Sequence, residues 1–339
     1  MGAASPESSN LGVPAFVRGQ RRAPERDSRP ECEQPSEAAG KRWGPPREAL
    51  GRRDLLLAGA VFVVSLAIAI LRVGLSLTPD VYLIVLLPSA LVLRCGRRYL
   101  LDFVPFAALI LIYAESRGIA HVLHPHPHYL PQLDLEKLIF DGRVPTIVLQ
   151  HWLWSGSDRW YDTLILYVTR IHAIVPTTFA FVLWLQRRAL FYRFAATLLT
   201  LSFSAAITFW LYPAAPPWAA AQEGLASLTK IGGERAATSS AVAAGTTVHG
   251  LIQGNPYAAI PSLHAGYAFL VFLFVATAFY GSRYRWWIIL PAALYAAVQS
   301  FAAVYTGNHY VVDLLIGYCY ATASLLAVSW FWRRSQWPP

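Results

Sequence analysis

This sequence points to an all-α, polytopic transmembrane helical bundle of about eight spans, on three observations. Of its 339 residues, 55% are hydrophobic and 14% charged, with a mean hydropathy of +0.40; soluble domains carry roughly 25% charged residues. Apolar runs of about 20 residues, the length that crosses a bilayer, recur along the chain. The arginines between these runs fall on alternate loops, as the positive-inside rule requires.

Residues 1–53 hold ten Lys/Arg and seven Asp/Glu within stretches such as "RRAPERDSRP" and "GPPRE". Such a segment buries too little apolar surface to order itself, so a disordered, basic cytoplasmic tail is expected. No apolar run precedes residue 54, which argues against a secretory leader. The expected spans are 54–77, 81–95, 100–122, 160–186, 190–213, 259–281, 285–306 and 309–332. The second is short and contains Pro88. Helices are the reading of such runs, because a bilayer leaves backbone groups to pair among themselves.

With the tail in the cytoplasm, "RCGRRY", "QRRALFYR", "GSRYR" and the C-terminal "WRRSQWPP" all fall inside. Eight spans with both termini cytoplasmic satisfy this pattern, giving an integral, multi-pass plasma-membrane protein. Residues 123–159, 214–258 and the short link at Gly307 then face outward. Within them, 129–155 is amphipathic and reads as an interfacial or re-entrant piece, and 221–250 as a mobile loop. Residues 54–98 form accessory transmembrane helices, 99–332 the main membrane domain and 333–339 a cytoplasmic tail. No internal repeat of the transporter kind is visible.

The net charge of +9 does not call for a nucleic-acid partner, since orientation accounts for the arginines. Cys32, Cys95 and Cys319 show no disulfide or metal spacing, and three unpaired thiols are expected. The tract "HVLHPHPHY" is broken by Pro125 and Pro127 and has no accompanying carboxylate or cysteine pattern. No metal site or cofactor is expected from it.

Reactive side chains gather at two outward lips. In "AAIPSLHAGYAF" Ser262 and His264 open an apolar run, and in "YTGNHYVVDLLIGY" His309 and Asp313 open another. A spacing of four puts His309 and Asp313 on one helix face. A carboxylate there can accept a hydrogen bond from one imidazole nitrogen and leave the other free to attack. His264, at the same depth, can protonate a leaving oxygen. The helix starting near Ser262 offers backbone N–H groups to a phosphoryl oxygen. A nucleophile, an orienting acid and a general acid are then together, without a metal.

"PSLH" followed by "GNHYVVD" resembles the type 2 phosphatidic acid phosphatase superfamily, closest to its inositol phosphorylceramide synthase (inositolphosphotransferase-like) branch. "YPAAPPW" (212–218) and "YDTLILYVTRIHAIVP", with His172 and Pro176, are similar to further elements of that branch. The likeness covers roughly residues 100–330. It implies a six-helix phosphatase-like core, His309 as the group that takes the phosphoryl unit, Asp313 as its support and His264 as the acid. The superfamily's Lys-x6-Arg-Pro motif is absent, and Ala302 and Ala303 stand where its third motif has Ser-Arg. Arg117 and Arg170 are therefore the expected phosphate ligands with Ser262, since arginine within a membrane is costly and defaults to function. Lys230 and Arg235 are further candidates, and His172 is an expected substrate contact.

The expectation is a lipid phosphatase or phosphotransferase (a hydrolase or transferase) acting on a phospholipid or polyprenyl-phosphate-type substrate. It would work through a phosphohistidine at the extracytoplasmic face; whether water or a hydroxyl accepts the group stays open. A membrane transporter or lipid flippase is the alternative, supported by Arg117, Arg170 and His172 within spans.

Overall fold

The computed structural model of the chain describes residues 51–73, 79–123, 126–232 and 255–334. The predicted tail up to residue 50, most of the 221–250 loop and Arg235 lie outside them. The chain begins with α1 (Arg52–Val73), α2 (Pro79–Val92) and α3 (Gly96–Leu123). Two short helices, α4 (Leu130–Ile139) and α5 (Pro145–Leu153), lead to α6 (Trp160–Arg170), α7 (Ile174–Gln186) and α8 (Arg188–Leu211). A one-turn helix, α9 (Pro217–Gln222), precedes α10 (Leu263–Ala278), α11 (Arg285–Tyr305) and α12 (Val311–Arg334).

Among the described residues, each predicted span coincides with helix over most of its length. Five helices (α1, α3, α8, α11 and α12) are long and apolar enough to cross a bilayer, and α2 and α10 are shorter apolar helices. The run 160–186, predicted as one span, is broken: α6 and α7 meet at a 52° bend. Pro176 is the physical reason, because it has no N–H to return to the carbonyl of His172. The segment 129–155 forms α4 and α5, joined by a turn in which Asp141 and Gly142 have positive φ. α4 packs on α12 and α5 on α11. Cys319 is a free, exposed thiol, whereas Cys95 is disulfide-bonded, which corrects the expectation of three unpaired thiols.

Apolar attraction cannot by itself hold helices together in lipid, so close packing and polar contacts must. At the arginine-rich end, buried Asp102 of α3 accepts hydrogen bonds from Trp184 Nε1 (2.7 Å), Arg188 Nε (2.8 Å) and Tyr192 Oη (2.6 Å). This ties α3 to α7 and α8. Around it stack Tyr99, Phe103 and Phe191, with ring centroids 4.6 and 4.8 Å apart. Apolar side chains such as Leu71, Leu211 and Trp287 face outward, as a surface covered by lipid should.

The opposite end is governed by α10 and α12. A Cβ on Gly317 would lie 2.4 Å from the carbonyl oxygen of Ser262, and one on Gly266 would lie 3.4 Å from that of Gly317. Two glycines therefore let the helix backbones touch, and the Ser262 N–H donates to the Asp313 carbonyl at 3.0 Å. The turn between α11 and α12 needs Gly307, at φ +77°. Above it, His128, Ala214 and Ala258 form isolated β-bridges that lace three connecting segments together.

Gly317→Ala is expected to destabilise the protein by about 1–3 kcal/mol through overpacking, read as a lower melting temperature in detergent. Gly59→Ala, on α1 with no atom within 4 Å of its Cβ position, should be neutral.

Candidate active site

The contact between α10 and α12 fixes where the two histidine lips meet. Ser262 caps α10, its Oγ accepting the Ala265 N–H at 3.4 Å, and places His264 in the first turn. His309 lies two residues before α12. Its Nε2 faces His264 Nδ1 at 3.0 Å. On the other side of the ring, His309 Nδ1 lies 3.0 Å from the Ala259 carbonyl and 3.5 Å from Asp313 Oδ2. A carbonyl can only accept, so Nδ1 carries the hydrogen and Nε2 presents its lone pair. The nearer acceptor is thus the Ala259 backbone, with the carboxylate of Asp313 just beyond it. Asp313 is fully buried and its Oδ2 accepts the Tyr310 N–H at 2.8 Å.

His172, in the break between α6 and α7, extends the row. Its ring centroid is 4.1 Å from that of His264, and its Nδ1 donates to the Thr169 carbonyl at 2.8 Å. The sharp bend at Pro176 thus brings an imidazole of the fourth predicted span beside the other two.

These histidines line a cavity of about 390 Å³. Arg117 of α3 and Lys230 of the connecting segment supply its cations, with Asn255 and Asn308 as uncharged polar groups. Lys230 Nζ sits 3.8 Å above the Trp218 ring, a cation–π contact, and burial holds its pKa below the ordinary lysine value. The proline-rich run acquires a physical role here. Ala214 and Ala215 pair with neighbouring backbone, and the Trp218 N–H donates to the Gly307 carbonyl at 3.1 Å, setting its ring beside Lys230. Asn255 Nδ2 donates to the Arg117 carbonyl at 3.0 Å.

Of the residues singled out from sequence, the structure therefore brings together His264, His309, Asp313, His172, Arg117 and Lys230. Arg170, at the end of α6, does not line the cavity, and Ser262, wholly buried, does not either. One participant has no local sequence signal. Glu136 of α4, fully buried, accepts the N–H groups of Val311 and Val312, each at 3.1 Å. Its carboxylate closes the first turn of α12 from 175 residues away, where a negative charge is favoured by the helix dipole. Burial pushes the Glu136 carboxyl up, against the pull of those two N–H groups. Gln150 of α5 does similar work, donating to the Thr229 and Tyr305 carbonyls at 2.8 and 2.9 Å.

Chemically, the arrangement offers an imidazole lone pair paired with a second imidazole within proton-transfer distance, and two cations lining the same cavity. Glu136→Ala leaves two amides without their acceptor and should cost about 1–3 kcal/mol for each, measured by thermal unfolding; Glu136→Gln, which keeps one acceptor oxygen, should lose less. If the Lys230 ammonium holds phosphate, calorimetric titration with inorganic phosphate should show binding fading with rising pH below the ~10.4 of free lysine. Lys230→Arg should move that limit upward.

The model of the PAP2 superfamily matches residues 144–327 of this chain. A phosphoinositol dihydroceramide synthase of Bacteroides thetaiotaomicron is 30% identical over 148 residues, covering 42% of this chain and 47% of that protein. The chain thus aligns with about half the length of this curated relative. No solved structure matches. With more than half of its residues matched, among them His172, His264, His309 and Asp313, the chain belongs to the PAP2 superfamily.

Proposed function

We propose that this protein is an integral membrane phosphatase or phosphotransferase acting on a phospholipid or polyprenyl-phosphate-type substrate. The observation that carries the reading is the 3.0 Å pairing of His264 Nδ1 with His309 Nε2 in the cavity that Arg117 and Lys230 line. The substrate phosphate enters between the two rings and displaces their mutual hydrogen bond. His309 Nε2 attacks phosphorus, and the bond from phosphorus to the leaving oxygen breaks. His264, protonated at this stage, gives its proton to that oxygen. The resulting phosphohistidine keeps its Nδ1 hydrogen, directed at the Ala259 carbonyl and the Asp313 carboxylate. His264, now neutral, takes a proton from water or an acceptor hydroxyl, which attacks phosphorus and releases His309. Arg117 and Lys230 offset the charge that spreads over the phosphoryl oxygens.

The acceptor divides hydrolase from transferase. The name of the Bacteroides relative specifies phosphoinositol and dihydroceramide, which favours transfer of a headgroup phosphate to a lipid hydroxyl. Phosphatidylinositol and phosphatidic acid are the first donors to test, with polyprenyl phosphate beside them.

The site is read as extracytoplasmic. Arginines at the starts of α3, α8 and α11 and the end of α12 (Arg97, Arg188, Arg285 and Arg333) mark the ends of these spans remote from the histidines, and positive ends stay in the cytoplasm. Both termini then lie inside, and the bilayer is the plasma membrane.

His309→Ala should lower turnover at least about 10³-fold and Asp313→Asn by ~10²–10⁴, measured on a lipid panel with products identified by mass. Rapid base-quenched digestion kept alkaline, because a phosphorus–nitrogen bond hydrolyses in acid, should recover phosphate on the His309 peptide; a lipid carrier would yield none, and an unchanged rate in His309→Ala would remove the mechanism. A cysteine placed at Asn308 should react with a membrane-impermeant maleimide in intact cells; labelling only after lysis would reverse the orientation.

A further inference from the structure

The cavity has a second half that the proposed chemistry does not use. Below the histidines it continues between α2, α3 and α7, lined by Leu83, Leu86, Phe106, Ala107, Ile110 and Ile174. Tyrosines also border it, but their hydroxyls are committed elsewhere. Tyr82 Oη is hydrogen-bonded to the Ile174 carbonyl and Thr178 Oγ1, and Tyr99 Oη donates to the Leu83 carbonyl at 2.9 Å. The rings behind them are wedged by stacking, as with Tyr99 on Phe103. This half therefore presents carbon without a free polar atom, whereas the other half presents Arg117, Lys230 and the imidazoles. Opposite character at the two ends of one space is the complement of an amphiphile.

We propose that this apolar half is a binding slot for a single hydrocarbon chain of the lipid substrate, with α2 and α3 as its selecting wall. The proposal rests on the phosphate-lipid reading above and adds the part of the protein that chooses the chain. α2 and α3 precede residue 144, where the family match begins. The histidine chemistry and the chain selection thus come from different parts of the sequence. Tyr82 and Tyr99, held by their hydrogen bonds, limit how far a chain reaches, and Ala107 leaves the width it needs. Because the chain comes from the bilayer and not from water, the slot selects by close fit and not by hydrophobic transfer.

The test uses the full-length protein in nanodiscs with phosphatidic acid that bears a diazirine at the end of one chain. After irradiation, peptide mass spectrometry should find adducts on Leu83, Leu86, Phe106 or Ile110, removed by excess unlabelled phosphatidic acid. Adducts confined to the outward-facing Ile84, Leu91 and Leu101, or insensitive to competitor, would overturn the slot. In Ala107→Trp the inner adducts should fall at least tenfold while the outer ones persist, the latter reporting an intact fold; undiminished inner labelling would also overturn it. Labelling needs no turnover, so the two readings fail separately. Inner adducts with a fully active His309→Ala variant would leave the slot and end the phosphohistidine mechanism. Turnover as proposed with outer adducts alone would do the reverse.

Discussion

Helices α10 and α12 cross where neither carries a side chain. At Gly266 and Gly317 the backbones come within contact distance, and the carbonyl of Ser262 occupies the space a Cβ on Gly317 would need. In lipid this close approach substitutes for the hydrophobic drive available to soluble proteins, because dispersion and backbone contacts are what distinguish a helix neighbour from an acyl chain. The distance between His264 and His309 is set by the same crossing. One histidine stands two residues after the cap of α10 and the other two residues before the start of α12, so any sliding of the helices separates the rings.

That crossing needs support from outside, since both helix starts expose unpaired backbone groups. The first turn of α12 is closed by the Glu136 carboxylate, and the start of α10 by the Ser262 hydroxyl and by its own N–H on the Asp313 carbonyl. Gln150 joins the top of α11 to the segment that carries Lys230. The short helices α4 and α5 are thus more than a membrane-surface ornament: they insert carboxylate and amide groups where the transmembrane helices end. The cost is a carboxylate buried close to Asp313, which burial pushes toward its protonated form and two N–H groups draw back.

The cavity joins two environments that membrane proteins usually keep apart. At one end cations and imidazoles are grouped in a partly dehydrated space, where electrostatic interactions are stronger than in water. At the other, aromatic rings pack against α2, α3 and α7 with their hydroxyls satisfied. The bend at Pro176 serves both ends. It swings His172 beside His264, and the helix that follows it carries the Ile174 carbonyl and Thr178, which hold Tyr82 on the apolar side. A straight helix over 160–186 would provide neither.

Hydropathy and arginine placement sufficed to recognise the helical spans, because apolar run length and charge are local properties that a bilayer reads directly. The proximity of His309 and Asp313 was legible from their spacing, but not their geometry: His309 stands two residues before α12 and meets Asp313 across its first turn, not on a shared helix face. The "PSLH" and "APPW" runs marked further parts of the site without revealing what they touch. Long-range contacts were hidden. Glu136 carries no local sign that it serves α12, and the Ala259 carbonyl that receives the His309 hydrogen is a backbone atom common to every residue. Arg170 and Lys230 look alike as candidates in one dimension, yet only Lys230 reaches the cavity, since a bend and a folded-back segment decide which cation turns inward. Local chemistry writes the spans and the closeness of His309 and Asp313 into the chain; the chamber and its cations exist only where distant segments converge, because their positions follow from helix crossing and backbone pairing over separations that no sequence window contains.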